Sequence, residues 1–308
     1  MADGNMIVSV SPHIHSPVTT RRIMLDVIIA LMPAFIASII VFGARSALIV
    51  CVCVAACVLS EFIYCKIVRK GNTIGDLSAI ITGILLAFNL PVGIHVWQAV
   101  IGSAVAIVVV KQLFGGIGKN FANPAITARI VMFLAFSSSM TNWGGMTDAT
   151  TSATPLALIA SGRAAELPSI GNMLLGMRGG CLGETCVIAL LLGFIYLLVR
   201  RVITWHTPVV YVATVFLFTL ALGKEPVYQI LSGGLMLGAI FMATDYTTTP
   251  QTSWGKVIFG VGAGLLTVII RVFGSYPEGV SFSILLMNIL TPYINRATCH
   301  APLGGVKS

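Results

Sequence analysis

Length, composition and charge exclude a soluble protein with an ordinary polar surface. Of the 308 residues, 57% are hydrophobic and only 9% are charged, and the mean hydropathy is +0.97. Soluble domains carry roughly 25% charged residues. The net charge of +8 does not indicate nucleic-acid binding, because the 18 basic residues lie mostly between apolar runs rather than in one stripe. We therefore predict an integral membrane protein in contact with lipid and without a nucleic-acid partner.

Apolar runs of membrane-spanning length predict an all-α fold with about ten transmembrane helices. The predicted spans are 23–42, 46–68, 77–90, 95–113, 124–136, 181–199, 207–222, 228–243, 256–273 and 280–294. The interval 137–180 between the fifth and sixth spans is polar and rich in glycine. The seven cysteines show no metal-ligand spacing such as CxxC, so the sequence predicts no metal site.

Basic residues between the spans predict the orientation, because Lys and Arg concentrate in cytoplasmic loops. The residues that fall on one side are Arg21, Arg22, Lys66, Arg69, Lys70, Lys111, Lys119, Arg200 and Arg201. Ten spans that start and finish in the cytoplasm satisfy this pattern. The interval 137–180 then faces outward.

Two halves of the chain resemble each other weakly and predict an inverted repeat. Residues 83–91 place a glycine before Asn89 and Pro91, and residues 238–250 place one before Asp245 and Pro250. Five spans in each half would orient the copies oppositely, and such repeats form sites near the bilayer midplane. The alternative is a pair of simple tight turns. We predict one membrane domain, 1–308, with halves 1–136 and 181–308 on either side of the loop 137–180.

The most informative segment of that loop is residues 148–156, a run of small hydroxyl residues before a proline. Thr154 and Pro155 suit the N-cap and first residue of a helix, which is a purely structural interpretation. The segment also resembles the D-x-x-[ST]-G-A-T flavinylation motif. The matching residues are Asp148, Thr151, Ala153 and Thr154, while Ser152 replaces the usual glycine.

Other segments resemble one family, that of the D subunit of the Rnf electron-transport complex and the homologous B subunit of the Na⁺-translocating NADH:quinone reductase. They are Ser11-Pro12-His13, residues 23–27, Asn123-Pro124-Ala125 with Ala128-Arg129, and residues 242–246 with Pro250. The resemblance covers essentially the whole chain. It implies a urea-channel-like five-plus-five fold in the cytoplasmic membrane.

The resemblance also implies a function and a cofactor. It implies a protein that is inactive alone and that relays electrons between ferredoxin and NAD⁺, coupled to Na⁺ or H⁺ movement. FMN would be esterified through its phosphate to Thr154 by a flavin transferase that acts outside the membrane, with Asp148 recognised by that enzyme. The implied partners are the A, B, C, E and G subunits of the Rnf complex, and the G subunit carries another covalent FMN. A noncovalent riboflavin near the breaks at Asn89 and Asp245 is a further implication.

Charged residues inside the predicted spans are costly unless paired, and they often mark functional sites. Arg129 is expected to meet either a flavin phosphate or an acidic partner. Asp26, Glu61, Glu184 and Asp245 are acidic residues at or within spans, and the sequence does not choose among them as ion ligands. Two other functions stay open: a solute channel or transporter without a redox cofactor, and a structural anchor for catalytic partners.

Overall fold

The structure is a computed structural model that describes residues 19–69, 71, 73–143, 154–163, 166–274 and 278–299. The described residues form helices and turns and no strand. The helices are α1 Thr20–Phe42, α2 Ala44–Ile67, α3 Ser78–Phe88, α4 Val96–Ala104, α5 Pro124–Ala135, α6 Ser137–Met140, α7 Pro155–Ala160, α8 Ile170–Leu175, α9 Val187–Val199, α10 His206–Ala221, α11 Pro226–Leu231, α12 Leu235–Leu237, α13 Ser253–Phe273 and α14 Val280–Thr298. Two π-helical segments, Val105–Gln112 and Gly238–Met242, continue α4 and α12.

Three of these helices, α1, α2 and α13, are long and apolar enough to cross a membrane. Shorter apolar helices are α3, the continuous Val96–Gln112 helix, α5, α9 and α10. Each predicted span contains at least one helix, so the all-α prediction is confirmed. The number of crossings stays a prediction, because several helices are shorter than a bilayer requires.

Helices from the two halves of the chain pack against one another through a common apolar core. Helix α1 lies on α9, and α5 lies on α14, while α2 packs on α3 and α4, and α10 packs on α13. The α1–α9 crossing is close: a Cβ added at Gly193 would lie 2.3 Å from the carbonyl oxygen of Ala30. A side chain larger than glycine at this position would therefore separate the two halves.

Two predicted spans differ from the observed helices. The predicted span 181–199 begins as helix only at Val187, since residues 176–186 form a chain of turns. The predicted span 228–243 is broken at Ser232–Gly234, where Gly233 and Gly234 have φ values of +64° and +66°. This left-handed conformation favours glycine and ends α11. Such a break deep in a membrane protein must find polar partners for its free backbone groups.

The predicted helix starts are confirmed at two prolines. The Asn123 side chain accepts hydrogen bonds from the backbone N–H groups of Ala125 and Ile126, with Pro124 as the first residue of α5. Thr154 caps α7 in the same way, with Pro155 as its first residue. Both capping residues are buried.

Candidate functional site

Thr154, the residue predicted to carry flavin, begins helix α7. Its Oγ1 accepts a hydrogen bond of 3.3 Å from the backbone N–H of Ala157, and the residue is 8% exposed. The other motif residues, Asp148, Thr151, Ser152 and Ala153, lie outside the described part of the chain. Of the motif, only the position and capping role of Thr154 are therefore visible.

Helix α7 is packed against the break between α11 and α12. A Cβ added at Gly233 would lie 2.2 Å from Leu156 Cδ1 and 2.9 Å from the Nη2 atom of Arg271. Leu156 is itself buried. The glycine at the break thus makes room for the helix that carries Thr154, with a guanidinium on the same side.

Arg271 satisfies the backbone groups that the break releases. Its Nη1 donates to the carbonyl oxygen of Gln229 at 2.6 Å, and its Nη2 donates to those of Ser232 and Gly233 at 3.1 and 3.3 Å. A buried arginine that binds the carbonyl end of a broken helix is favourable, because that end carries partial negative charge. Arg271 Nε and Ser232 Oγ, both buried, have no hydrogen-bond partner among the described residues.

Arg129 lies next to this break at the centre of a second set of polar contacts. Its Nη1 donates to Asn89 Oδ1 and to Ser281 Oγ, each at 3.0 Å. Its Nη2 forms an ion pair with Glu278 and contacts Cys181 Sγ at 3.6 Å. Arg129 therefore has the acidic partner that was one of its two predicted contacts, and its predicted role as a flavin ligand stays a prediction.

Glu184 and Arg178 extend this polar region along residues 176–186. Arg178 Nη2 donates to the backbone carbonyl oxygen of Glu184 at 2.9 Å, while Glu184 Oε2 and Arg178 Nε have no hydrogen-bond partner in the described ranges. Ligand atoms of Cys181, Glu184 and Glu278 lie within 4.8 Å of one another, a convergence that the spacing of the cysteines did not indicate. We call Arg129, Arg178, Cys181, Glu184, Arg271 and Glu278 the arginine–glutamate cluster.

A separate buried ion pair joins α2 to the π-helical end of α4. Lys111 Nζ lies 2.9 Å from Glu61 Oε2 and donates to Ser78 Oγ at 2.6 Å, and Gln112 Nε2 donates to Glu61 Oε1 at 2.8 Å. Glu61 is fully buried and Lys111 is 2% exposed. Counting Lys111 among the loop cations was therefore wrong, because it lies within the helix and neutralises an acidic residue there.

A cavity of about 380 Å³ opens beside this ion pair. Residues from both halves of the chain line it, including Ser78, Lys111, Asn123, Phe241 and Asp245. The carboxylate of Asp245 accepts hydrogen bonds from Thr247 and Thr248 of its own turn. The other predicted break, at Asn89, does not line this cavity and belongs instead to the contacts of Arg129.

Asp26, the last acidic residue singled out in the sequence, has partners on α9 and just after it. It accepts a hydrogen bond from Tyr196 Oη at 2.9 Å and is paired with Arg200, which is 40% exposed in its side chain. Sequence reasoning missed Glu278, Arg271 and Arg178 as interacting residues. Arg271, a lone cation in an apolar run, carried the same signal as Arg129 and could have been found by the same rule.

Comparison with known proteins places the chain in a family. The family model described as NQR2, RnfD, RnfE matches residues 7–304. The chain belongs to the NQR2/RnfD/RnfE family. Family membership and the apolar helices together indicate a multi-pass membrane protein.

Relatives of this NQR2/RnfD/RnfE member are similar over almost their whole length, and each is the D subunit of a membrane complex. One belongs to the Na⁺-translocating ferredoxin:NAD⁺ oxidoreductase complex of Acetobacterium woodii and is 45% identical over 311 residues, which cover 100% of this chain and 98% of the relative. Another belongs to the proton-translocating ferredoxin:NAD⁺ oxidoreductase complex of Clostridium ljungdahlii and is 39% identical, with 96% of each chain covered. A third belongs to the ion-translocating oxidoreductase complex of Actinobacillus succinogenes and is 34% identical, with 94% of this chain and 95% of the relative covered.

Proposed function

We propose that the chain is the D-type membrane component of an ion-translocating ferredoxin:NAD⁺ oxidoreductase complex, inactive alone. It would relay electrons through FMN attached to Thr154 and couple this relay to Na⁺ or H⁺ transport. The full-length similarity to proteins named for that activity supports the general function. The observation that carries the site is the placement of Thr154, within the matched flavinylation motif, at the start of a helix packed on the break at Gly233.

The residues around Thr154 fit an esterified phosphate. Oγ1 of Thr154 has one weak contact, the 3.3 Å bond from Ala157. Two buried donors on the packed break, Arg271 Nε and Ser232 Oγ, have no partner among the described residues. Unpaired buried donors indicate a missing acceptor, and a phosphodiester supplies one.

The protein's own part in this mechanism is to hold the group and to exclude water. Thr154 would carry the phosphate, and Arg271 with Ser232 would stabilise its charge. FMN supplies one- and two-electron redox steps when bound, and the protein provides position and electrostatics. Helix α7, fixed through Leu156 on Gly233, would keep the attachment point at a constant position relative to the arginine–glutamate cluster.

A noncovalent riboflavin is proposed for the cavity of about 380 Å³ near Asp245. Most of its lining is apolar with a few polar groups, which suits a flat aromatic ring system with hydrogen-bonding edges. Acid extraction of the purified complex would release free riboflavin. Extraction that yields none from a complex with intact covalent flavin would count against this cavity as a flavin site.

The inverted repeat is part of the same proposal. Helices of the two halves, α1 with α9 and α5 with α14, pack against each other, and both α3 and α11 are short helices at breaks. These pairings support the urea-channel-like arrangement in the cytoplasmic membrane, with Thr154 on the outer face. The implied partners, namely the A, B, C, E and G subunits and the flavin transferase, belong to this proposal as well.

Covalent flavin tests the proposed function directly. Flavin fluorescence in a denaturing gel is expected for the protein made in cells that contain the flavin transferase. A redox-free solute channel, the alternative function, predicts a nonfluorescent band. The assignment to Thr154 is addressed at the end of the Discussion.

A further inference from the structure

The carboxyl group of Glu184 is held in a tight pocket between two glycines. A Cβ added at Gly180 would lie 2.8 Å from Glu184 Oε1, and one added at Gly234 would lie 2.8 Å from Glu184 Oε2. The residue is 4% exposed. Oε2 has no hydrogen-bond partner in the part of the chain that the structure describes.

Cationic groups surround this carboxyl but direct their donors elsewhere. Arg129 donates to Asn89, Ser281, Cys181 and Glu278. Arg178 donates to the backbone carbonyl oxygen of Glu184, not to its side chain. Among the described residues Glu184 forms no ion pair, in contrast to Glu61, Glu278 and Asp26. The titratable groups that face it are Arg129, Arg178, Cys181, Arg271 and Glu278.

An ionised carboxylate in this geometry is costly, because a buried charge needs a paired counter-ion and hydrogen bonds to both oxygens. A neutral carboxylic acid has no such requirement, and an unpaired acid oxygen costs much less than an unpaired charge. A metal ion fits poorly, since Arg129 already neutralises Glu278 and a thiol is a weak ligand for hard cations. The occupant that suits the carboxyl of Glu184 is therefore a proton.

We propose that Glu184 is a proton-binding site of this membrane domain, occupied in the described arrangement and emptied when Arg178 moves from the backbone carbonyl onto the carboxylate. In that step the O–H bond of the acid breaks, the proton leaves to solvent, and an Arg178–Glu184 ion pair forms. Arg178 has an unused donor, Nε, for this contact. The inference deepens the proposed function by offering a site for a transported proton, although the protonation of Glu184 is measurable without electron transfer.

Infrared spectroscopy of the intact complex tests the proposal. A buried carboxylic acid gives a C=O stretching band, separate from the carboxylate bands, that shifts in D₂O. We expect this band in the wild type and in Glu166→Gln, an exposed carboxylate of the same loop that is paired with Arg163. The component from Glu184 should disappear in Glu184→Gln, which preserves shape and neutrality and so should leave covalent flavin fluorescence unchanged.

Several outcomes would overturn the proposal. A wild-type acid band that is identical in Glu184→Gln would show that Glu184 is ionised. Disappearance of the Glu184 component on addition of NaCl at fixed pH would assign the site to Na⁺. If Glu184→Gln does not assemble, ¹³C-labelled glutamate in the wild type replaces it, and an acid band that the label does not shift would exclude a protonated glutamate. Loss of covalent flavin in the wild type would contradict the proposed function and leave this inference standing.

Discussion

Leu156 and Gly233 are in direct contact, and this contact joins the helix that carries Thr154 to the break between α11 and α12. The Cβ position of Gly233 lies 2.2 Å from Leu156 Cδ1. No larger residue fits at the break without moving Leu156. The position of the predicted flavin attachment point thus depends on a glycine about eighty residues away in the sequence.

Gly233→Ala is expected to displace α7 and to lower the stability of the protein. The new methyl group would overlap Leu156 and approach Arg271, and overpacking of this kind costs roughly 1–3 kcal/mol. Thermal unfolding of the solubilised complex and flavin fluorescence per protein would both decrease. The matched control is Gly162→Ala, which has a similar φ of +74° but no atom within 4 Å of the new Cβ. Equal effects of the two substitutions would show that backbone strain, not the Leu156 contact, is responsible.

Lys111→Met is expected to destabilise the protein strongly, because it leaves the fully buried Glu61 without its counter-ion. Removal of one partner of a buried ion pair costs about 3–5 kcal/mol. The double variant Lys111→Met with Glu61→Gln should recover most of the lost thermal stability, since no isolated charge remains. Lys119→Met, at an exposed lysine, serves as the control and should leave the unfolding temperature unchanged. A double variant that is less stable than the single one would contradict the pairing.

The orientation of the 137–180 loop is open to chemical labelling. Arg163, whose side chain is 55% exposed, lies just after α7, and exposed Arg201 follows α9. A membrane-impermeant maleimide should label Arg163→Cys in intact cells and Arg201→Cys only after the membrane is permeabilised. The wild type, whose Cys51 and Cys299 are exposed, gives the background. The reverse pattern would place Thr154 in the cytoplasm and exclude a transferase that acts outside the membrane.

Long apolar helices were predictable because length and hydropathy alone specify them, as the agreement for α1, α2 and α13 shows. Helix starts at Asn123 and Thr154 were predictable from capping chemistry, which is local. The break at Gly233 was missed although two adjacent glycines marked it, because the flanking residues are as apolar as in an intact span. The start of α9 was misplaced for the same reason: residues 181–186 lie next to a long apolar run but form turns.

The polar contacts were less predictable, since they depend on which helices meet. Glu278 lies in a short connection with no motif, yet it pairs with Arg129 from a helix about 150 residues earlier. Lys111 follows the sequence pattern of a loop cation, and only the π-helical end of α4 shows that it faces Glu61. Residues 148–153 of the motif, by contrast, were found by sequence resemblance and lie outside the described ranges.

The most direct test of the central claim is mass spectrometry of the tryptic peptide that spans Thr154, from protein made in cells containing the flavin transferase. The peptide should gain the mass of FMN less water. Thr154→Ala should abolish covalent flavin fluorescence, while Thr151→Ala should retain it. An unmodified wild-type peptide, or fluorescence that persists in Thr154→Ala, would contradict the assignment of this residue as the flavin carrier.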